Sequence, residues 1–151
     1  MDVFIARVCF PNDPSHTLVA HQMFIGQYIS ESYVEFYSIS SVLGKERRVF
    51  AEDGSVNVEI ALIVEENQRE NGFRVPSFID CSKSYTVFLS DSVDIEKLNH
   101  RDISLKLHME IVSKINSLKK AGRHTNYSIS LNDFIRWNQR IVNEEWAFYI
   151  L

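Results

Sequence analysis

The chain carries five histidines and two cysteines, the side chains best suited to proton transfer, metal ligation or nucleophilic attack near neutral pH. His16 and His21 stand close to Asp13. At a loop-to-strand junction that spacing defines no metal geometry, so no metal site is expected. Cys81 has Lys83 nearby, but no histidine partner can be inferred from the sequence, and an inert buried thiol is the expectation. Cys9 lies in a similar apolar run, so both cysteines are expected reduced. The motifs with a built-in mechanism are absent: there is no Walker loop, GxGxxG, GxSxG, HExxH or CxxC. Residues 100–126 instead concentrate positive charge. Arg101, Lys106, Lys114, Lys119, Lys120 and Arg123, with His100, His108 and His124, face only Asp102 and Glu110. Two readings are open for this stretch, a solvated helix face or a surface for an anionic ligand.

The secondary structure expected around these residues falls into two halves. Residues 3–10 are rich in β-formers and stop at Pro11-Asn12-Asp13-Pro14, with an exposed loop to follow. Residues 23–29 and 33–39 predict a hairpin across Ser30-Glu31-Ser32. Val56, Val58, Ile60 and Leu62 alternate as one face of a strand, entered through Asp53-Gly54. Residues 65–72 predict a polar connection, and 73–81 and 84–89 two further strands, with Pro76 at an edge or bulge. After residue 90 the period changes. Ser104 can cap a helix over about 104–121 whose face includes Leu105, Met109, Val112 and Ile115, flanked by Leu107, Ile111 and Leu118, with Gly122 ending it. A second helix is predicted over 130–145, opened by Ser130 and Asp133 at capping-box spacing. The apolar end, 146–151, is expected to dock on the body or join an oligomer interface.

With 151 residues, 45% hydrophobic and 24% charged, the chain is long enough for a sizeable core. No linker or repeat divides it, so one domain is expected over 1–151, mainly β over 1–90 and mainly helical over 100–151. The fold class is α+β, a small, strongly twisted antiparallel sheet or open barrel with two C-terminal helices. No apolar run reaches the ~18 residues of a membrane span, and the first residues lack a basic n-region. A soluble cytoplasmic protein is expected. The net charge of −4 argues against a protein that coats nucleic acid non-specifically. Divided by region, the net values over 1–60, 61–100 and 101–151 are −4, −3 and +3, which leaves room for a local basic site.

The order of elements carries a resemblance. A first strand, Asp2 to Pro11, runs into a polar loop, and the hairpin His21-Gln22-Met23-Phe24-Ile25-Gly26 with Val34-Glu35-Phe36-Tyr37-Ser38-Ile39-Ser40-Ser41 follows. This resembles the MazF/PemK-like ribonuclease toxins, the superfamily of the CcdB/Kid-type barrel, and is similar to the ToxN class. In those families an Arg-Pro or His-Pro pair opens the second strand and Thr-Ser or Ser-Ser closes the third; here Gln22 stands in the proline position. Arg74-Val75-Pro76-Ser77 looks like the Pro-Ser segment of PemK-like proteins, and Leu98 to Ser104 like the polar stretch before their helix. The similarity covers about residues 2–120.

The resemblance implies a MazF/PemK-like barrel and a toxin-antitoxin endoribonuclease that cleaves single-stranded RNA without metal or other cofactor. It assigns catalysis to His21, Ser40, Ser41 and Arg74, and RNA binding to Arg101, Lys106 and Lys83. Such chemistry needs a proton-transfer group, met by histidine, and positive charge at the phosphorane, met by arginine. Strand-end hydroxyls can hydrogen-bond a phosphate oxygen. His21, Ser40, Ser41, Arg74 and Arg101 are expected to converge on one cleft. A cognate antitoxin, protein or RNA, and a homodimer are the implied partners, with no membrane. The alternative is a non-catalytic binding or assembly module on the same barrel.

Overall fold

The computed structural model describes residues 1–30 and 32–145; the apolar end expected to dock lies outside the described residues. Its elements are β1 (Asp2–Cys9), β2 (Leu18–Ser30), β3 (Tyr33–Ser41), α1 (Glu46–Val49), β4 (Ile60–Ile63), α2 (Glu65–Glu70), β5 (Ser77–Asp80) and β6 (Lys83–Phe88). A 3₁₀ turn (Ile95–Leu98), β7 (Asn99–Asp102), α3 (Leu105–Lys120), β8 (Thr125–Ser128), α4 (Leu131–Trp137) and a second 3₁₀ turn (Gln139–Ile141) follow among the described residues. The fold is α+β. Among the described residues the strands form one 8-stranded sheet in the order β4-β5-β3-β2-β1-β7, with β6 joined to β3 and β8. It is curled into an open half-barrel. Its pairings are antiparallel except β6 with β8, which run parallel. No helix among the described residues is long and apolar enough to cross a membrane.

Strand alternation gives the sheet two apolar faces. Val3, Ile25, Tyr37 and Ile39 face α3 and meet Leu107, Ile111, Ile115 and Leu118. Phe4, Ala6, Val8, Phe24, Val34 and Phe36 point the other way, onto Ile129, Phe134, Ile135 and Ile141. The second face is built on aromatic edges: Phe24 and Phe36 stand 4.9 Å apart, and Phe4 and Phe36 5.4 Å, both near T-shaped. Gly26 makes room for this packing, since a Cβ there would lie 2.8 Å from the Phe4 ring.

Several elements depart from the sequence expectation. The stripe of α3 is Leu107, Ile111, Ile115 and Leu118, while Leu105 and Met109 are 74% and 62% exposed; the helix is rotated so that its longest apolar row meets the sheet. Val56 and Val58 alternate with Ile60 but are exposed, because the chain forms only an isolated bridge between Phe50 and Val56 before β4 begins. Residues 65–70 form α2 instead of a polar connection, and the strand expected from residue 73 starts at Ser77. The second C-terminal helix ends at Trp137. Asn138 there accepts from the Arg7 backbone N–H at 2.9 Å and donates back to the Arg7 carbonyl at 2.9 Å. That pairing with β1 turns the chain away from helix. Within the half expected to be helical, β7 and β8 each add a strand to the sheet.

Candidate functional site: a cationic cleft

The site begins where two strands part. The β2–β3 ladder ends at Met23 opposite Ile39. Beyond it β3 turns to β5, pairing Ser40 with Phe78 and Ser41 with Ser77. β2 stays with β1 across a register shift between Ala6 and Val8. Parted strands leave backbone carbonyls without partners. Gln22 closes the fork, its Nε2 donating to the Ile39 carbonyl at 2.8 Å and to the Met23 carbonyl at 3.0 Å.

A cleft of about 720 Å³ opens on the α3 side of this fork. His21, Ser40, Ser41, Arg74 and Arg101 all line it, joined by Lys45 and His100. Ile5, Met23, Ile39, Leu43, Phe73 and Val75 form its apolar walls. The strand divides the serine pair: Ser41 shares the face of Ile39, and Ser40 the face of Ser38. A smaller cleft of about 270 Å³ lies beside it, lined by Asn12, Arg48, Asp80, Lys83 and Tyr85 among others. The two clefts share Gln22, Ser40 and Lys45. Lys83 therefore belongs to the neighbouring cleft, and Lys106, exposed in the first turn of α3, lines neither.

Arg101 is the most firmly held of the basic groups. Its Nε donates to the Asn71 carbonyl at 2.7 Å, and its guanidinium lies 4.5 Å from the centre of the Phe73 ring. One Nη donates to His100 Nδ1 at 2.9 Å. A guanidinium offers only donors, so His100 accepts at Nδ1 and its proton sits on Nε2. Gly72 permits the arrangement: a Cβ would stand 3.3 Å from Arg101 Nε, and the residue has φ +71°. Asn71 is buried and accepts at Oδ1 from the Ser104 backbone N–H at 2.6 Å, while its Nδ2 donates to the Asn67 carbonyl at 2.8 Å. One residue thus ties the end of α2 to the start of α3, with Arg101 between. Burial lowers the Arg101 pKa, a shift that leaves so strong a base charged.

The charge of the cleft is one-sided. Lys45, Arg74 and Arg101 line it with no Asp or Glu. Among the described residues the ion pairs are Arg48–Asp80, Lys119–Glu35, Arg123–Glu59 and Arg136–Asp133. None involves a residue of the larger cleft. In an acidic chain with net charge −4, a cleft lined by cations without carboxylates has a potential that attracts anions. Among the described residues no group of His, Cys, Asp and Glu could hold a metal ion.

Sequence reasoning assigns Lys45 no role and His100 none beyond the basic stretch. The adjacent pair His100-Arg101 was the available signal. Cys81 is buried, and its thiol is pushed up to about 12, mainly by burial and then by Asp80; it is no nucleophile. Compared with protein-family models, curated proteins and solved structures, the chain matches none.

Proposed function

We propose that this protein is a metal-independent endoribonuclease acting on single-stranded RNA, of the toxin type that its element order resembles. The observation that supports the reading is the gathering of His21 with Lys45, Arg74 and Arg101 in a cleft without carboxylates. His21 has no hydrogen-bond partner among the described residues, so both ring nitrogens are available to substrate. Neutral His21 takes the proton of a ribose 2′-OH as O2′ attacks the adjacent phosphorus. The P–O5′ bond breaks, and the same imidazole returns the proton to O5′. The products are a 2′,3′-cyclic phosphate and a 5′-hydroxyl. Arg101 and Lys45 stabilise the charge of the phosphorane, the kind of term that contributes most to such barriers. His100 donates from Nε2 to a phosphate oxygen, and Ser41 adds a hydroxyl.

End-labelled single-stranded RNA in buffer with chelator tests the reading. The expected result is cleavage leaving cyclic phosphate ends, abolished when the substrate is 2′-deoxy. Binding without cleavage would identify a binding module in place of an enzyme, and absence of binding would remove RNA as ligand.

A further inference from the structure

We infer that the smaller cleft is a base-recognition subsite for the same RNA, selecting bases that present a carbonyl oxygen where others present an amine: uracil over cytosine, guanine over adenine. The inference rests on the larger cleft being a phosphate site. The two clefts share Gln22, Ser40 and Lys45 at the fork between β2 and β3. A nucleotide whose phosphate meets Lys45 therefore reaches the smaller cleft with its base. Its volume of about 270 Å³ lies just under the ~300 Å³ lower bound of ordinary ligand pockets, room for one nucleoside.

The hydrogen-bonding groups there are biased. The carboxylates are engaged, leaving Gln22 Oε1 and the Ser38 and Ser40 hydroxyls as the neutral acceptors: Asp80 Oδ1 takes the Ser82 backbone N–H and hydroxyl at 3.0 and 2.6 Å, and Oδ2 takes Arg48 at 3.1 Å. Asp13 receives the Ser15 hydroxyl on both oxygens. Two donors are free besides the Lys45 ammonium and the Ser38 and Ser40 hydroxyls. Asn12 Oδ1 is taken by the Tyr85 hydroxyl at 3.1 Å, which leaves its Nδ2 without a partner among the described residues, and the exposed Lys83 ammonium has none either. Free ammonium and amide donors beside engaged carboxylates favour O4 of uracil or O6 of guanine over the amino groups of cytosine and adenine. Arg48, half exposed, is pinned by Asp80 with its guanidinium 5.5 Å from the Phe78 ring centre, a flat cation on which a base stacks.

Fluorescence anisotropy with labelled, non-cleavable 2′-O-methyl hexauridylate and hexacytidylate tests this on the intact protein. The uridine oligomer is expected to bind about tenfold tighter, the value of one good base contact. Lys83→Ala should bring the affinity ratio close to one; the ratio is the readout because losing a charge weakens both oligomers alike. Asn12→Asp keeps the acceptor for Tyr85 but exchanges the free amide donor for an acceptor, and should invert the preference. Equal binding of the two oligomers by the parent, or a ratio that neither variant moves, overturns the subsite. In that case weaker binding of both oligomers to Arg101→Ala shows that the larger cleft stands. No binding of either oligomer overturns both readings.

Discussion

The cationic cleft and the polar cluster around Glu35 use similar side chains to opposite ends. Glu35 is a buried carboxylate on β3, yet its neighbours satisfy it. Tyr37 donates to Oε1 at 3.0 Å, Ser84 to Oε2 at 3.2 Å and Asn126 to Oε2 at 3.3 Å, with Lys119 Nζ at 3.4 Å from Oε1. The single Tyr37 proton goes to Glu35, so His124 Nε2, 2.9 Å from the Tyr37 oxygen, is the donor there. Burial and Lys119 hold the His124 pKa below its ordinary value, and burial, then Glu35, pushes the Tyr37 pKa up. The cluster fastens β8 and the end of α3 to the sheet. The cleft at the fork leaves its charges unmatched and half open to water. A satisfied buried network serves stability; unmatched charge beside an opening is what the proposed RNA site requires.

His21 carries the largest expected effect. His21→Ala is expected to lower RNA cleavage by ~10²–10⁴-fold, the usual value of a proton-transfer group. An exposed side chain without partners should leave stability within ~0.5 kcal/mol. Rate measurements beside urea titrations check both halves; an unaltered rate removes His21 from the mechanism. Glu35→Ala should show the reverse profile. It strands the Tyr37 and Ser84 hydroxyls, which donate to Glu35, costing about 1–3 kcal/mol, while RNA affinity holds. The low end of the range is appropriate because Lys119 is 44% exposed and regains water.

Two smaller effects sharpen the contrast. Arg101→Ala should weaken RNA binding uniformly across sequences and reduce the slope of log affinity against log salt by about 0.7, the single-strand value for one phosphate contact. Titrations at several salt concentrations read it, and an unchanged slope would make Arg101 a structural residue only. The smallest effect concerns negative charge left unmatched. Asp2 faces Asp102 across β1 and β7, and burial, then the hydrogen bond with Asp102, raises its pKa from 3.8 to about 6. The folded state therefore holds this proton more tightly than the unfolded chain. Its contribution is present below pH 3.8 and is lost as pH rises through about 6. Asp2→Asn should be more stable than the parent at pH 7, with the gain vanishing near pH 4. A pH-independent difference in chemical denaturation would contradict the pairing.

What was legible in the sequence is what a few neighbouring residues decide. Ser104 and Ser130 accept from the Leu107 and Asp133 backbone N–H groups at 3.2 and 3.1 Å, so both helix starts were written locally as caps. Gly122, with φ +69°, marked the end of α3 just as locally. The β2–β3 hairpin followed from two β-rich runs with a polar break. The membership of His21, Ser40, Ser41, Arg74 and Arg101 in one cleft was reached through family resemblance and element order, and no local pattern contains it.

The rest belongs to contacts between residues far apart in the chain. Asn138 ends α4 by bonding to the backbone of Arg7, and no propensity near residue 138 announces a partner in the first strand. The rotation of α3 was settled by which apolar row fits the sheet, since Leu105 and Met109 are as hydrophobic as the residues that won. Lys45 and His100 meet at the cleft because β3 leaves β2 for β5 and β7 joins β1. A sequence records the hydrogen bonds and caps that a turn or two of chain can close. Which strands part, which face of a helix is buried and which charges stay unpaired depend on packing the whole molecule at once.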